Sequence, residues 1–335
     1  MQKEIVIAIV FGGLLGLVVA FGIWRVNVSL KNQPDETITG NLNSGEINNE
    51  KTDLSLSISS PPDKSVMTEE PVEVVGITES GAYVLISGNE DDQIVTSDEN
   101  GEFRAQVGLV GGINHLNMLS YSHTNKKSVS TSMKLVFSTL FDEEQDVESS
   151  DSSSIEEAVS EKIDRAKNMP KAYFGTITDI SEGSIQIRSQ EGEIRQTAVN
   201  SETTYANIVK ATKEISFSDL AIGDFIVAMG LTDGNQILEA KRILVTTSNG
   251  EDEKILVEAE IVERDGSEIA AKRANGEEMI FLTNRSSEIF LKKRGGEFTK
   301  SLVSEIESGD SVLCSLIKNE QSYVASSVFI VEKSE

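Results

Sequence analysis

Residues 174–199 read FGTITDISEGSIQIRSQEGEIRQTAV. Apolar Ile177, Ile185 and Ile187 alternate with polar residues, and Gly183 and Gly192 interrupt the pattern at turn-like positions. Period-two alternation broken by glycine describes half-buried strands joined by hairpins. Residues 256–282, LVEAEIVERDGSEIAAKRANGEEMIFL, repeat the pattern. Ile177 matches Ile261, Gly183 matches Gly266, and Gly192-Glu193 matches Gly276-Glu277. The stretches that follow, SFSDLAIGDFIVAMGLTDGNQILEAKRILV (216–245) and LVSEIESGDSVLCSLIKNEQSYVASSVFIV (302–331), match at Gly223-Asp224 and Gly309-Asp310. In each half a strand, a tight turn, two alternating strands and a longer excursion precede Gly-Asp and two closing strands. A period of about 84 residues makes this a duplication of whole domains, not a solenoid. Expected domains are residues 170–249 for the first copy and 250–335 for the second.

Gly-Asp before an apolar strand has a mechanical explanation: glycine takes a backbone conformation that other residues avoid, and aspartate caps the turn. With Gly175, Ile177, Leu220, Ile226 and Val227, this region resembles an exported bacterial domain family of unknown function. The resemblance implies a small β-barrel of five or six strands, similar to an oligonucleotide/oligosaccharide-binding (OB-like) fold. The second copy departs from it, with Glu258-Ala259 where the first has its opening glycine. Tyr173, Phe174, Tyr205 and Phe225 are expected in the core or at the rim, because neither copy shows the row of aromatic residues on which bases stack.

Residues 54–140 form a different module. The strand-like runs are LSLSI, VEVVGI, AYVLIS, QIVTS, FRAQVGL, HLNMLSYS and MKLVFS. Val72 and Val74 share one face, as do Phe103, Ala105 and Val107, which suits the inner faces of a sandwich. Ser60-Pro61-Pro62-Asp63, Val72-x-Val74-x-Gly76, Glu79-Ser80-Gly81-Ala82-x-Val84, Asp98-x-Asn100-Gly101-x-Phe103 and the Gly111-Gly112-Ile113-Asn114 turn follow in order. In these elements the segment resembles the bacterial immunoglobulin-like domains of exported proteins. That implies a seven-strand sandwich acting as a spacer or adhesive unit, with no common catalytic residues.

Candidate chemistry is thin. Glu90, Asp91, Asp92, Asp98 and Glu99 form an acidic cluster, but a calcium loop needs a later bidentate glutamate that is missing. The cluster reads as solvated turn carboxylates. His115 and His123 are too far apart for a metal grip and read as exposed or half-buried structural residues. Cys314, the single cysteine, excludes an internal disulfide. In SVLCSLI it shares a strand face with Val312 and Leu316, so it reads as an inert core thiol. Lys292-Lys293-Arg294-Gly295-Gly296, the one basic knot, reads as a solvated turn that could touch an acidic polymer. The expectation is no catalytic, cofactor or metal residues, and no enzyme activity.

Two linkers are expected. Residues 27–53, rich in Asn, Ser, Thr and Gly, form a flexible stalk. Residues 141–169 are acidic, and Ile155–Asn168 reads as a short helix stopped by Pro170. Ahead of the stalk lies IVIAIVFGGLLGLVVAFGIW, Ile5–Trp24, without charge or proline. Twenty helical residues span about 30 Å, the hydrocarbon thickness of a bilayer. The run reads as a transmembrane anchor over residues 1–26, with Trp24 and Arg25 at the interface. The alternative is a signal peptide cleaved after Val18-Val19-Ala20.

The chain carries 55 acids against 30 bases, net −25. Residues 1–26 hold Lys3 and Arg25 against Glu4, or +1, so the remainder carries −26. Charge of this sign points to solubility at a crowded surface and argues against nucleic acid as a partner. The fold class expected is therefore mainly β: one N-terminal transmembrane helix, one immunoglobulin-like sandwich and two small OB-like barrels. The expected role is a membrane-anchored, extracytoplasmic, non-catalytic scaffold or adhesion-type protein. It would be held by its N-terminal helix, with envelope proteins or a cell-wall polymer as partners. A carbohydrate- or cell-wall-binding module is the alternative.

Overall fold

Alternating sequence becomes strand almost everywhere. A computed structural model describes residues 54–144, 169–209, 212–233, 235–247, 254–293, 296–319 and 322–334. Among them are twenty-two strands, three short 3₁₀ segments and no α-helix, so the protein is mainly β. The apolar run, the stalk and the helix read over Ile155–Asn168 lie outside the described residues. Among the described residues no helix is long and apolar enough to cross a membrane.

The first eight strands are β1 (Ser57–Ser60), β2 (Ser65–Met67), β3 (Val72–Ile77), β4 (Tyr83–Ser87), β5 (Asp92–Thr96), β6 (Glu102–Val107), β7 (Gly112–Ser122) and β8 (Lys127–Phe137). They form two layers. One is ordered β1-β3-β6, the other β2-β8-β7-β4-β5. Val72, Val74, Phe103, Ala105 and Val107 of the first layer meet Val84, Ile86, Leu116, Met118 and Leu135 of the second in one buried core. Seven runs were legible in the sequence. The additional strand, β2, is only three residues long, too short to show a period, and pairs parallel to β8.

The remaining strands fall into two sets of seven. The first is β9 (Lys171–Ser181), β10 (Ser184–Arg188), β11 (Ile194–Ala198), β12 (Thr204–Asn207), β13 (Lys213–Ile215), β14 (Phe225–Thr232) and β15 (Leu238–Thr246). The second is β16 (Lys254–Asp265), β17 (Glu268–Arg273), β18 (Glu278–Leu282), β19 (Glu288–Lys292), β20 (Phe298–Ser301), β21 (Ser311–Lys318) and β22 (Tyr323–Glu332). In the first set pairing runs β9-β10-β11-β15-β14 and returns to β9, closing a ring. In the second it runs β16-β17-β18-β22-β21 and returns to β16. The closing pairs β11–β15 and β18–β22 are both parallel, and the ribbons β12-β13 and β19-β20 attach alike to the last strand.

The likeness extends to single backbone bonds. Gly223 N–H donates to the Ile177 carbonyl at 2.9 Å, and Gly309 N–H to that of Ile261 at 2.8 Å. The φ angles of these glycines, 99° and 88°, lie where side chains are disfavoured. Asp224 and Asp310 each accept a backbone N–H three residues earlier, from Ala221 at 2.9 Å and Glu307 at 2.8 Å. Both first hairpins carry a bulge at the corresponding place, which skips Thr178 in one and Val262 in the other.

Several strands are apolar on both faces, and the second face is used. In β14, Ile226 and Ala228 point into the ring core, while Phe225, Val227 and Met229 pack with Val66, Val136 and Phe141 of the sandwich. In β21 and β22, Val312, Cys314, Leu316, Val328 and Ile330 fill the second ring. Leu313, Phe329 and Val331 point the other way, onto Tyr83, Leu85, Leu119 and Tyr121 of the sandwich. The modules are thus welded to one sheet rather than strung out along linkers.

Phe329, 2% exposed, stacks on Phe290 at 4.7 Å and meets Phe298 edge-on at 5.9 Å. Phe329→Ala is expected to lower unfolding stability by about 3–5 kcal/mol, read from urea denaturation, as truncation of a buried aromatic side chain does.

Candidate functional site

The two junctions collect several of the polar side chains that stood out in the sequence. The junction with the second ring holds a buried ion pair. Asp92 Oδ1 lies 3.4 Å from Lys254 Nζ, with side-chain exposures of 3% and 13%. Ser327 Oγ donates to Asp92 Oδ2 at 2.9 Å, and Lys254 Nζ also donates to the Gly88 carbonyl at 2.7 Å. The hydroxyls of Ser87 and Ser315 share a hydrogen bond of 3.0 Å across the same contact. Asp92 is therefore not a solvated turn carboxylate. It heads β5, the edge strand that abuts the second ring. Its neighbour Asp91 has its pKa raised, first by burial and then by the Asp92 charge. Asp98 behaves as expected of a turn aspartate, accepting the Asn100 and Glu102 N–H groups at 2.8 and 2.9 Å. Among the described residues no group of three or more His, Cys, Asp or Glu side chains could hold a metal ion.

The basic knot also divides. Lys292 Nζ donates to the Tyr83 hydroxyl and lies 4.6 Å from the centre of that ring, so it belongs to the junction, not to a solvated turn. Lys293 and Gly296 close the hairpin through a 3.0 Å backbone bond, while Arg294 and Gly295 lie outside the described residues. Tyr121, buried here, has its pKa pushed up to about 12 by desolvation, with Glu258 and Glu332 of the second ring adding to the shift. Cys314 is 1% exposed and its thiol is pushed up by burial.

His115 and His123 sit at opposite junctions. His123 packs on Tyr83 with ring centres 5.9 Å apart. His115 is buried, not half-exposed, and lines a groove on the other side.

That groove follows the seam between the sandwich and the first ring. It has two lobes, of about 450 and about 600 Å³, which share Asp63, Lys64, Phe174 and Glu191. The seam is fixed by backbone: Ala172 N–H donates to the Lys64 carbonyl at 2.9 Å, and Val66 N–H to that of Pro170 at 3.1 Å. Lys64 Nζ spans the groove to Glu191 at 3.0 Å. Ser189, a backbone bond and this lysine hold the Glu191 carboxyl at about 2. Arg195 lies over the Tyr173 ring at 5.5 Å, and Lys134 over Phe174 at 5.9 Å. Tyr173 and Phe174 are thus rim and seam residues. Tyr205 packs against Phe217, and Phe225 is buried in the seam core. Lys64, Lys134, Lys171 and Arg195 gather from successive positions 24 to 70 residues apart along the chain, which no local motif could reveal.

Neither a protein-family model nor a curated protein matches the chain. Among solved structures, a multidomain protein with nucleic acid binding domains from Streptococcus pneumoniae is similar at 10% identity. The match covers 81% of this chain and 76% of that one, with a TM-score of 0.14. So loose a likeness carries no argument about fold or ligand. The exclusion of nucleic acid expected from net charge is nevertheless withdrawn, since a structure described as having nucleic acid binding domains stands among the matches. The physical weakness of that exclusion is visible in the groove. Net charge averages over the whole surface, whereas phosphate binding depends on local charge.

Asp92→Ala leaves the Lys254 ammonium buried without its carboxylate and is expected to cost about 3–5 kcal/mol in urea denaturation, whereas Asp92→Leu combined with Lys254→Met recovers most of that loss. Cys314 is expected to resist a thiol reagent at pH 8 in the native protein and to react once per chain in denaturing urea.

Proposed function

We propose that the chain is a membrane-anchored, non-catalytic scaffold that presents a rigid three-module β body at the cell envelope. In this reading the sandwich is an immunoglobulin-like spacer and the two rings are OB-like barrels related by duplication. The observation that carries it is that both rings dock on the outer face of one sandwich sheet, whose inner face fills the sandwich core. Tyr83, Leu85, Leu119 and Tyr121 dock the second ring, and Val66, Val136 and Phe141 dock the first. A protein whose role is presentation gains from a shape fixed by buried apolar contact, since free hinges would cost ordering entropy when a partner binds. Support for the anchor comes from the twenty-residue apolar run, and for the outer location from the −26 charge that follows it. The repeated closing of the rings through a parallel last strand supports the barrel assignment.

Protease shaving of intact cells tests the placement. Fragments from the 54–335 region are expected to be released without lysis. Protection of that region in intact cells, with digestion only after lysis, would show a cytosolic body and end the envelope reading.

A further inference from the structure

We propose that the groove between the sandwich and the first ring binds a short acidic oligosaccharide, with Lys134 and Lys171 holding its acidic groups and the rims of Tyr173 and Phe174 flanking its sugar rings. The site does not depend on where the body is anchored. The occupant follows from how the charges are used. Lys64 is engaged by Glu191 at 3.0 Å and Arg195 by Glu193 at 2.5 Å. Asp63 accepts the Lys134 backbone N–H at 2.8 Å and keeps its charge, so the two lobes hold four cations against three carboxylates. Among the described residues the ammonium groups of Lys134 and Lys171 form no ion pair, in a protein whose net charge is −25. Lys134 Nζ has only the Gln190 amide oxygen at 3.4 Å and the face of Phe174.

Two cations suit a ligand with sparse acidic groups, one per sugar or fewer. A polynucleotide carries a charge on every residue and favours open aromatic faces. Here those faces are covered, Phe174 by Lys134 and Tyr173 by Arg195. Amide and hydroxyl groups at Asn117, Ser132 and Gln190 line the lobe of Lys134 and match sugar hydroxyls. A lobe of about 600 Å³ lies in the range of small-molecule sites.

The backbone gives independent support. Five hairpins share one turn, in which an N–H donates to the carbonyl three residues back at a positive φ. Gly101, Gly192, Gly276 and Gly296 fill that position in four of them, with φ from 82° to 95°. Gln236, at φ 63°, fills it in the fifth, which borders the groove. Its carbonyl accepts the Tyr173 hydroxyl at 2.8 Å and its amide oxygen accepts Arg195 at 3.0 Å. Lys64, at φ 63°, is a second groove residue in this unfavourable region. Strain kept where glycine would relieve it marks a position held for its side chain.

The test is isothermal titration of the full-length chain in detergent micelles with tetragalacturonate, a phosphate-bearing mannose tetrasaccharide, neutral maltotetraose and a ten-residue oligothymidylate. At least one acidic tetrasaccharide is expected to bind, with maltotetraose weaker by about tenfold or more, and the two acidic probes separate carboxylate from phosphate preference. Lys134→Gln with Lys171→Gln is expected to weaken binding about tenfold or more at an unchanged unfolding temperature. Gln236→Gly is expected to keep or raise that temperature while weakening binding, which a purely structural role would not do. The proposal is overturned if neither acidic probe binds, if maltotetraose binds as well, if the oligonucleotide binds more tightly than both, or if the lysine double variant binds like the parent chain.

Discussion

The molecule depends on strands with no polar face. In β4, Val84 and Ile86 point into the sandwich while Tyr83 and Leu85 point out, and all four are buried. A half-exposed strand of a free-standing sandwich would carry polar residues on its outer face. Here the outer face is as apolar as the inner, and the same holds for β14, β21 and β22. Apolar surface removed from water is worth about 25 cal/mol per Å², so faces of this kind drive the modules together. Of the five apolar clusters among the described residues, three lie inside modules and two between them.

The two junctions differ in character, and that difference locates the candidate chemistry. The contact with the second ring is closed. Its polar groups, Asp92, Lys254, Ser327 and the Ser87–Ser315 pair, satisfy one another inside it. Buried charge is tolerated there because each group has a partner, and it fixes the register of the docking rather than adding much stability. The contact with the first ring has an apolar base around Phe225, Val227 and Val136, but opens above it into the groove. Duplicated rings docked on one sandwich therefore meet unlike surroundings: β16, β21 and β22 of the second ring pack on β4 and β7, whereas β9 and β14 of the first pack beside β2 and β8.

The sequence was a good guide wherever one residue answers to its near neighbours. The period of two placed most strands, and Ile177 with Ile261 and the two Gly-Asp turns could be aligned by eye. Their equivalent bonds follow from turn chemistry that acts over three or four residues. Cys314 was readable as a core thiol because Val312 and Leu316 flank it at the right spacing. β2 was missed because three residues show no period, and its pairing with β8 joins positions some seventy residues apart.

What the amino-acid order settled by itself was the β character, the repeat and the direction in which each side chain faces along a strand, since pleating is local. It also carried an unused clue, the unbroken apolar runs YVLIS and FIVAMG, which have no solvent face to offer. Only the tertiary structure decided what covers those faces, turned Asp92 and Lys292 from surface charges into junction contacts, and collected Lys64, Lys134, Lys171 and Arg195 along one seam. Such encounters depend on which surfaces exclude water from each other, and that is a property of folded modules, not of neighbouring residues.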